Sequence, residues 1–230
     1  MDKQRWENRA LEFIQGACQR LTISQEGLKE LQRRGLKNPT IAQWKLGFNP
    51  IERFEHRDLW GLESELNANG RQKKVWLPKG ITIPYSDNNN VRKIRIRQLG
   101  TIADERKYVV VSGSSSCLSW YGDPFSFPIV LVESDLDAML LWQEAGDLCV
   151  PVALGSCAAK PNAEDYSLLS QAFAILYALD WDLAGKKAFE YWRSFPNVKP
   201  WPSAQGKSPG DDFLAGINLR DWVIHGLTDT

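Results

Sequence analysis

The chain has 230 residues, room for one large domain or two small ones, and its 43% hydrophobic and 24% charged content is that of an ordinary globular protein. No apolar run approaches the ~18 residues of a membrane span, and Met1 to Arg5 lead into no signal-peptide core, so a cytoplasmic protein with no membrane partner is expected. The net charge of zero conceals a polarity: residues 1–127 carry 21 Lys and Arg against 14 Asp and Glu, while residues 128–230 carry 7 against 14. A basic half joined to an acidic half suits a protein that holds phosphates on one wall and metal on the other. Cys18, Cys117, Cys149 and Cys157 are scattered and only His56 and His225 supply imidazoles, so zinc-ligand spacing is absent and four reduced thiols are expected.

From the start, Trp6, Ala10, Phe13, Ile14 and Ala17 recur at helical spacing, and Leu28, Leu31 and Leu36 continue on a second helix, with a break near Ser24 and Gly27. Gly35 can end that helix, Asn38-Pro39-Thr40 can start the next, and Gly47 can end it. Residues 51–75 are polar and uneven, with a turn at Asn67–Gly70. Gly80–Tyr85 reads as a strand, Ser86–Asn90 as a turn and Val91–Arg97 as a second strand. The alternation in Val91–Arg97 places Lys93, Arg95 and Arg97 on one face, opposite a buried one. A solvated face more often mixes signs, so phosphate binding is the favoured reading of those three cations. Asp123 to Pro128 reads as a domain boundary.

The second half alternates short apolar runs with helical patterns, which implies parallel strands joined by helical crossovers. Pro128–Val132 ends on Glu133, with Asp137 four residues on, inside a helical pattern over 134–142. Val150–Leu154 breaks at Gly155-Ser156. Phe173–Leu179 ends on Asp180-Trp181-Asp182, and a helix opens at Leu183. Ligands of open parallel sheets sit beyond the carboxyl ends of strands, where Glu133, Asp180 and Asp182 fall. Three carboxylates at one edge repel without a counter-charge, which a hard divalent cation with oxygen ligands provides. Acids after strands also serve as helix N-caps, a role open to Asp182 and Asp135. A fourth strand, Val198–Trp201, precedes Asp211-Asp212 and a closing helix over 217–226. The ten tryptophans, Trp44, Trp60, Trp76 and Trp120 among them, offer stacking platforms for bases or, more commonly, core.

Glu133 with Asp137 four residues later, then Gly155, then Asp180-Trp181-Asp182-Leu183-Ala184-Gly185, resembles the Toprim domain of primases, topoisomerases and some nucleases, with Ser134 where that domain has glycine. Arg34-Gly35-Leu36, Thr40-Ile41 and Leu46-Gly47-Phe48-Asn49-Pro50 resemble the segment that opens the polymerase core of bacterial replicative primases. Arg97-Gln98-Leu99-Gly100 and Lys107-Tyr108, running on to Ser112, resemble the basic strand segments of the same family. A further family lysine has no counterpart in Cys117–Gly122, and Ser208 and Gly210 stand where the family has two acids, with Asp211-Asp212 one step later.

The resemblance implies an α/β fold, a Toprim domain (a Rossmann-like parallel sheet with flanking helices) preceded by a basic α+β subdomain. The domains expected are 1–127, 128–206 and a short helical segment, 207–230. It implies a DNA-directed RNA polymerase core that makes short RNA primers on single-stranded DNA from ribonucleoside triphosphates. Glu133, Asp180 and Asp182 are then the catalytic acids, and with Asp211 the ligands of Mg2+ or Mn2+, with no zinc within the chain. Asp137 orients the site, and Arg97, Lys107, Arg95 and Lys93 bind nucleotide or nucleic acid. A replicative helicase or a chain bearing a zinc module is the implied protein partner, and an excised core or a compact primase of a phage, plasmid or other mobile element the implied source. A Toprim nuclease, or a non-catalytic binder of single-stranded nucleic acid, would share much of this pattern.

Overall fold

The computed structural model describes residues 1–100, 107–123, 125 and 128–228. Its contacts divide the chain into two compact units, Met1–Leu31 with Ile41–Ser116, and Gln32–Thr40 with Cys117–Thr230. The division therefore falls at Ser116/Cys117 rather than 127/128. Pro124, Ser126 and Phe127, within the boundary expected from sequence, lie outside the described residues.

The first unit opens with α1 (Lys3–Thr22), capped by the Asp2 carboxylate, which accepts from the Arg5 N–H at 3.1 Å. A break of two residues precedes α2 (Gln25–Arg33), and α3 (Asn38–Gln43) starts at the Asn-Pro-Thr signal. Gly47 does not end a helix; it begins β1 (Gly47–Asn49). The uneven stretch after it contains an antiparallel ribbon the sequence pattern does not reveal, β2 (Arg53–His56) with β3 (Lys74–Leu77). The expected hairpin follows as β4 (Gly80–Asp87) and β5 (Asn90–Gln98), joined by Asn88 and Asn89 at φ of 47° and 65°. Two left-handed residues match the twist of a two-residue hairpin, and asparagine tolerates that conformation better than most side chains. With β6 (Tyr108–Val110) these strands form an antiparallel sheet of order β1-β4-β5-β6.

Trp6, Phe13 and Ile14 of α1 share one core with Val75 and Leu77 of β3 and Ile94 and Ile96 of β5. Fully buried Trp60 lies in it and donates its indole N–H to Glu55 at 2.8 Å. The same carboxylate pairs with Arg9 through N–O distances of 2.7–3.0 Å, so the α1 and β2 surfaces are tied by a forked ion pair beside the core.

The second unit is a five-stranded sheet with order β11-β10-β8-β9-β7. Its strands are β7 (Ser119–Trp120), β8 (Ile129–Val132), β9 (Val150–Ala153), β10 (Ile175–Tyr177) and β11 (Val198–Pro200). All neighbours are parallel except the edge pair β7 and β9. Every residue of β8, β9 and β10 is buried, which is why their sequences are continuous apolar runs rather than alternating ones. The helices are α4 (Asp135–Ala145), α5 (Ala163–Gln171), α6 (Leu183–Trp192), α7 (Pro209–Leu214) and α8 (Leu219–Thr228). Both α7 and α8 pack on α4, so residues 207–230 belong to this unit rather than standing apart. Among the described residues no helix is long and apolar enough to cross a membrane. All four cysteines are free thiols, with Cys117 and Cys149 buried.

The short strand β7 is held by a residue with no signature in the sequence. Asp165, 4% exposed on α5, accepts from the Leu118 N–H at 2.9 Å and from the Trp120 indole at 2.8 Å. Removing a buried acceptor leaves two donors unsatisfied. We expect Asp165→Ala to cost roughly 2–4 kcal/mol in urea unfolding, by detaching the β7 edge. An unchanged midpoint would show that β7 needs no such anchor.

Candidate active site

Where the sheet reverses its order sets the position of the acids. From β8 the chain steps to β9 on one side, and then returns through α5 to β10 on the other. Leu131 of β8 pairs with Tyr177 of β10, so Glu133 and Asp180 leave neighbouring parallel strands two and three residues beyond that pair. The crevice at such a switch point is the usual ligand position in open α/β sheets. The ladder runs on past the strands: Leu154 N–H donates to Val132 O at 3.0 Å and Gly155 N–H to Glu133 O at 2.8 Å. The Glu133 backbone is thereby fixed between β8 and the loop after β9.

Asp182 is the N-cap of α6 and accepts on Oδ1 from the Ala184 and Gly185 N–H groups, both at 2.9 Å. A Cβ on Gly185 would run into the Asp180 carbonyl oxygen, so the Asp-x-Asp-x-Ala-Gly spacing has a steric basis. Asp135 does not cap α4. Its buried carboxylate accepts from the Tyr121 hydroxyl at 2.9 Å, and Ser134 is the cap. Ser134 Oγ accepts from the Asp137 N–H at 3.2 Å and donates to Asp137 Oδ2 at 3.0 Å. Ser134 thus holds both the helix start and the acid one turn in.

Burial pushes Asp137 up to about 6, with the charges of Asp180 and Asp211 adding to the rise. The Ser134 bond and the Arg34 guanidinium act the other way. Arg34 belongs to the same unit and is the counter-charge that the sequence pattern did not single out. Its segment is docked on α4: the Gln143 amide oxygen accepts from Lys37 N–H and Thr40 Oγ, both at 2.8 Å, and Gln143 Nε2 donates to Gly35 O at 3.0 Å. Glu133 and Asp182 act on a shared pair of groups. Burial raises the Cys157 thiol and the Tyr177 phenol, and the charges of Glu133 and Asp182 raise both further. Among the described residues no group of three or more His, Cys, Asp or Glu side chains converges on one point.

In the loop before α7, Ser208 caps the helix and Asp211 Oδ2 accepts from Lys207 N–H at 3.2 Å. Asp212 faces inward instead. Its fully buried carboxylate accepts from the N–H groups of Ala204, Gln205 and Gly206 at 2.6–2.9 Å. Of the adjacent pair, Asp211 lies within electrostatic reach of Asp137 and Asp212 fixes the loop. The cations of the first unit differ from expectation in exposure. Lys93 and Arg95 do share a face with Arg97, but they are only 6% and 5% exposed. Lys93 lies over the Tyr85 ring and Arg95 over Tyr108, at 5.6 and 4.5 Å. Arg97, half-buried, donates to the Tyr108 hydroxyl at 3.0 Å and lies 3.6 Å from Glu30, while Lys107 is exposed. The basic face is real, and it is largely covered.

Solved structures share this architecture. The primase of Aquifex aeolicus, seen with its zinc-binding and RNA polymerase domains, matches with a TM-score of 0.69 at 18% identity, over 97% of this chain and 61% of that one. The RNA polymerase domain of Mycobacterium tuberculosis primase DnaG, in complex with a double-stranded DNA oligomer carrying a 6-nucleotide overhang, gives 0.69 at 18% over 97% and 80%. The fold is that of a primase RNA polymerase domain. A DnaG primase catalytic domain bound to single-stranded DNA adds a match of 0.65 at 18%, over 98% and 86%. At these identities the likeness establishes the primase fold, and this chain spans about three-fifths of the Aquifex chain. The sequence matches no protein-family model and no curated protein.

Gly210 sits against Asp137: a Cβ there would fall onto the Asp137 Oδ1 atom. We expect Gly210→Ala to destabilise by about 1–3 kcal/mol through overpacking, and Ser134→Ala by about 1 kcal/mol through loss of the cap. Chemical denaturation of both variants checks this, and a Gly210→Ala protein as stable as the parent would remove the claimed close approach.

Proposed function

We propose that the chain is a primase-type RNA polymerase core, joining ribonucleotides on a single-stranded DNA template, with the second unit as its Toprim domain. The observation that carries this is the exit of Glu133 and Asp180 from neighbouring parallel strands at the switch point of a primase fold. The donor set suits Mg2+ or Mn2+: the candidate donors are carboxylate oxygens, and magnesium typically needs one or two of them beside waters and substrate phosphates. Among the described residues the hydrogen bonds to Asp182 fall on Oδ1, which leaves its second oxygen for a ligand.

Glu133, Asp180 and Asp182 are the proposed metal-holding groups, joined by Asp211, with Asp137 as the acid that orients the site. The metal, when bound, supplies Lewis-acid stabilisation of charge on the attacking and leaving oxygens. Glu133 is the proposed base for the proton of the primer 3′-hydroxyl. Arg97 and exposed Lys107 hold phosphates. Lys93 and Arg95, engaged by tyrosine rings, give the sheet its positive potential rather than a direct grip. The neighbours seen with single-stranded and overhanging DNA support a nucleic-acid template. A zinc-binding domain accompanies the Aquifex polymerase domain, and a module of that kind is the proposed partner for starting primers.

Extension of a pre-annealed primer with labelled ribonucleotides and Mg2+ or Mn2+ tests the reading. Asp180→Ala is expected to reduce incorporation at least about 100-fold, a loss typical of a group acting on transition-state charge. Arg97→Ala is expected to raise the KM for nucleotide or template more than it lowers kcat. Metal-dependent cleavage of the same DNA without extension would assign the site to a nuclease. Binding without either activity would make it a non-catalytic nucleic-acid protein.

A further inference from the structure

Two guanidinium groups of the first unit, neither of them part of the site described above, are tethered to consecutive residues of β1. Arg20, in the last turn of α1, donates from Nε to the Phe48 carbonyl at 3.3 Å. Arg53, at the start of β2, donates from Nη2 to Asn49 Oδ1 at 3.1 Å. The Asn49 amide cannot turn away, since Nδ2 of this fully buried residue already donates to the carbonyls of Ile51, Leu77 and Pro78 at 2.7–3.0 Å. The helix supplies the other boundary. Arg20 folds back over Gly16, where a Cβ would come within 2.9 Å of its Nη1, and Arg53 lies over the Phe13 ring at 5.6 Å. Phe13 and Gly16 are one turn apart on α1, so the two cations lie side by side between α1 and β1.

Neither guanidinium has a carboxylate partner among the described residues. The acids that flank them in sequence are engaged elsewhere: Glu12 and Glu55 with Arg9, Glu26 with Lys79, and Glu52 with the Trp76 indole. Both arginines are half-buried, and the Arg53 Nε atom is closed off from solvent without a hydrogen-bond partner. Burial pushes the Arg20 guanidinium down, and the Arg53 charge pushes it further. Two like charges drawn together partly out of water, each held only by a neutral oxygen, form an arrangement that a bound anion would relieve.

We propose that Arg20 and Arg53 form a site for a dianionic phosphate group, either free phosphate or the terminal phosphate of a mononucleotide. A guanidinium fork matches phosphate oxygens in pairs. Two such forks balance a doubly charged group, whereas a carboxylate or a backbone phosphodiester brings a single charge. The donors are there: among the described residues Arg20 keeps both terminal nitrogens without a protein partner, and Arg53 keeps Nη1. The site lies within the first unit and uses none of the residues assigned to nucleotide transfer, so it does not depend on turnover.

The test is thermal melting in phosphate against chloride at equal ionic strength, at a slightly alkaline pH where phosphate is dianionic. Metal, triphosphate and template are left out, so failure of the polymerase reading has no bearing on the outcome. Phosphate should raise the melting temperature of the parent beyond chloride, as a ligand of the folded state does. Arg20→Gln and Arg53→Gln should each weaken phosphate binding roughly tenfold or more. Gly16→Ala favours the helix while its Cβ displaces the Arg20 guanidinium, and should weaken binding severalfold in a protein at least as stable as the parent. Lys29→Ala, which removes an exposed cation elsewhere, should change nothing. Calorimetry with uridine 5′-monophosphate separates the two sources: affinity no tighter than that of phosphate assigns the site to the free anion, and tighter binding that the arginine variants lose assigns it to a nucleotide. Phosphate no better than chloride in the parent would overturn the proposal, as would parental affinity in the two arginine variants and Gly16→Ala. So would dimethyl phosphate, a singly charged diester, binding as tightly as phosphate.

Discussion

Carboxylates gathered at the carboxyl end of a buried parallel sheet repel one another in a medium that screens them poorly, and each must be fixed by bonds of its own. In the second unit those bonds are local and specific. Asp182 is fixed by two amides of α6, Asp137 by Ser134, the loop bearing Asp211 by the three amides that Asp212 accepts, and the Glu133 backbone by Gly155. Arg34 supplies positive charge near Asp137, carried on a segment that leaves the first unit to dock on α4 through Gln143. The acids are thereby held in a state that would be relieved by added positive charge, which is a reason to expect a cation as the ligand.

The first unit treats positive charge in the opposite way. Lys93 and Arg95 are covered, and their cost of burial is offset by the faces of Tyr85 and Tyr108. Exposed cations are found elsewhere, at Lys107 and around the β2–β3 ribbon. A protein that must hold a polyanion without sequence choice has use for both arrangements: buried charge sets the potential, and exposed charge makes the contact.

How much of this was legible in the sequence follows from the range of each signal. The parallel sheet was readable because strands covered on both faces must be apolar throughout, and the acids because they end those runs. The Asn88-Asn89 hairpin was readable for a local reason as well. The β2–β3 ribbon was hidden because its two strands are four residues each, separated by a polar segment, and its apolar residues fall on both faces, Val75 and Leu77 on one and Phe54 and Trp76 on the other. Strand β7 was hidden because two residues carry no periodicity, and its anchor Asp165 lies on a helix far along the chain. Burial of Lys93 and Arg95 was also beyond reach: alternation tells which side chains share a face, not what covers it. Arg34 was quoted within a motif, but its place near Asp137 depends on the docking of Gln32–Thr40 beside α4.

Binding of Mn2+ followed by electron paramagnetic resonance, without nucleotide or DNA, tests most directly whether the carboxylates at the β8 and β10 ends form a cation site. The parent protein should take up Mn2+ in competition with Mg2+, and Glu133→Gln and Asp180→Asn should each weaken that uptake while leaving the fold intact. Equal uptake by the parent and both variants would contradict the account, because the acids at the switch point would then have no part in holding the metal.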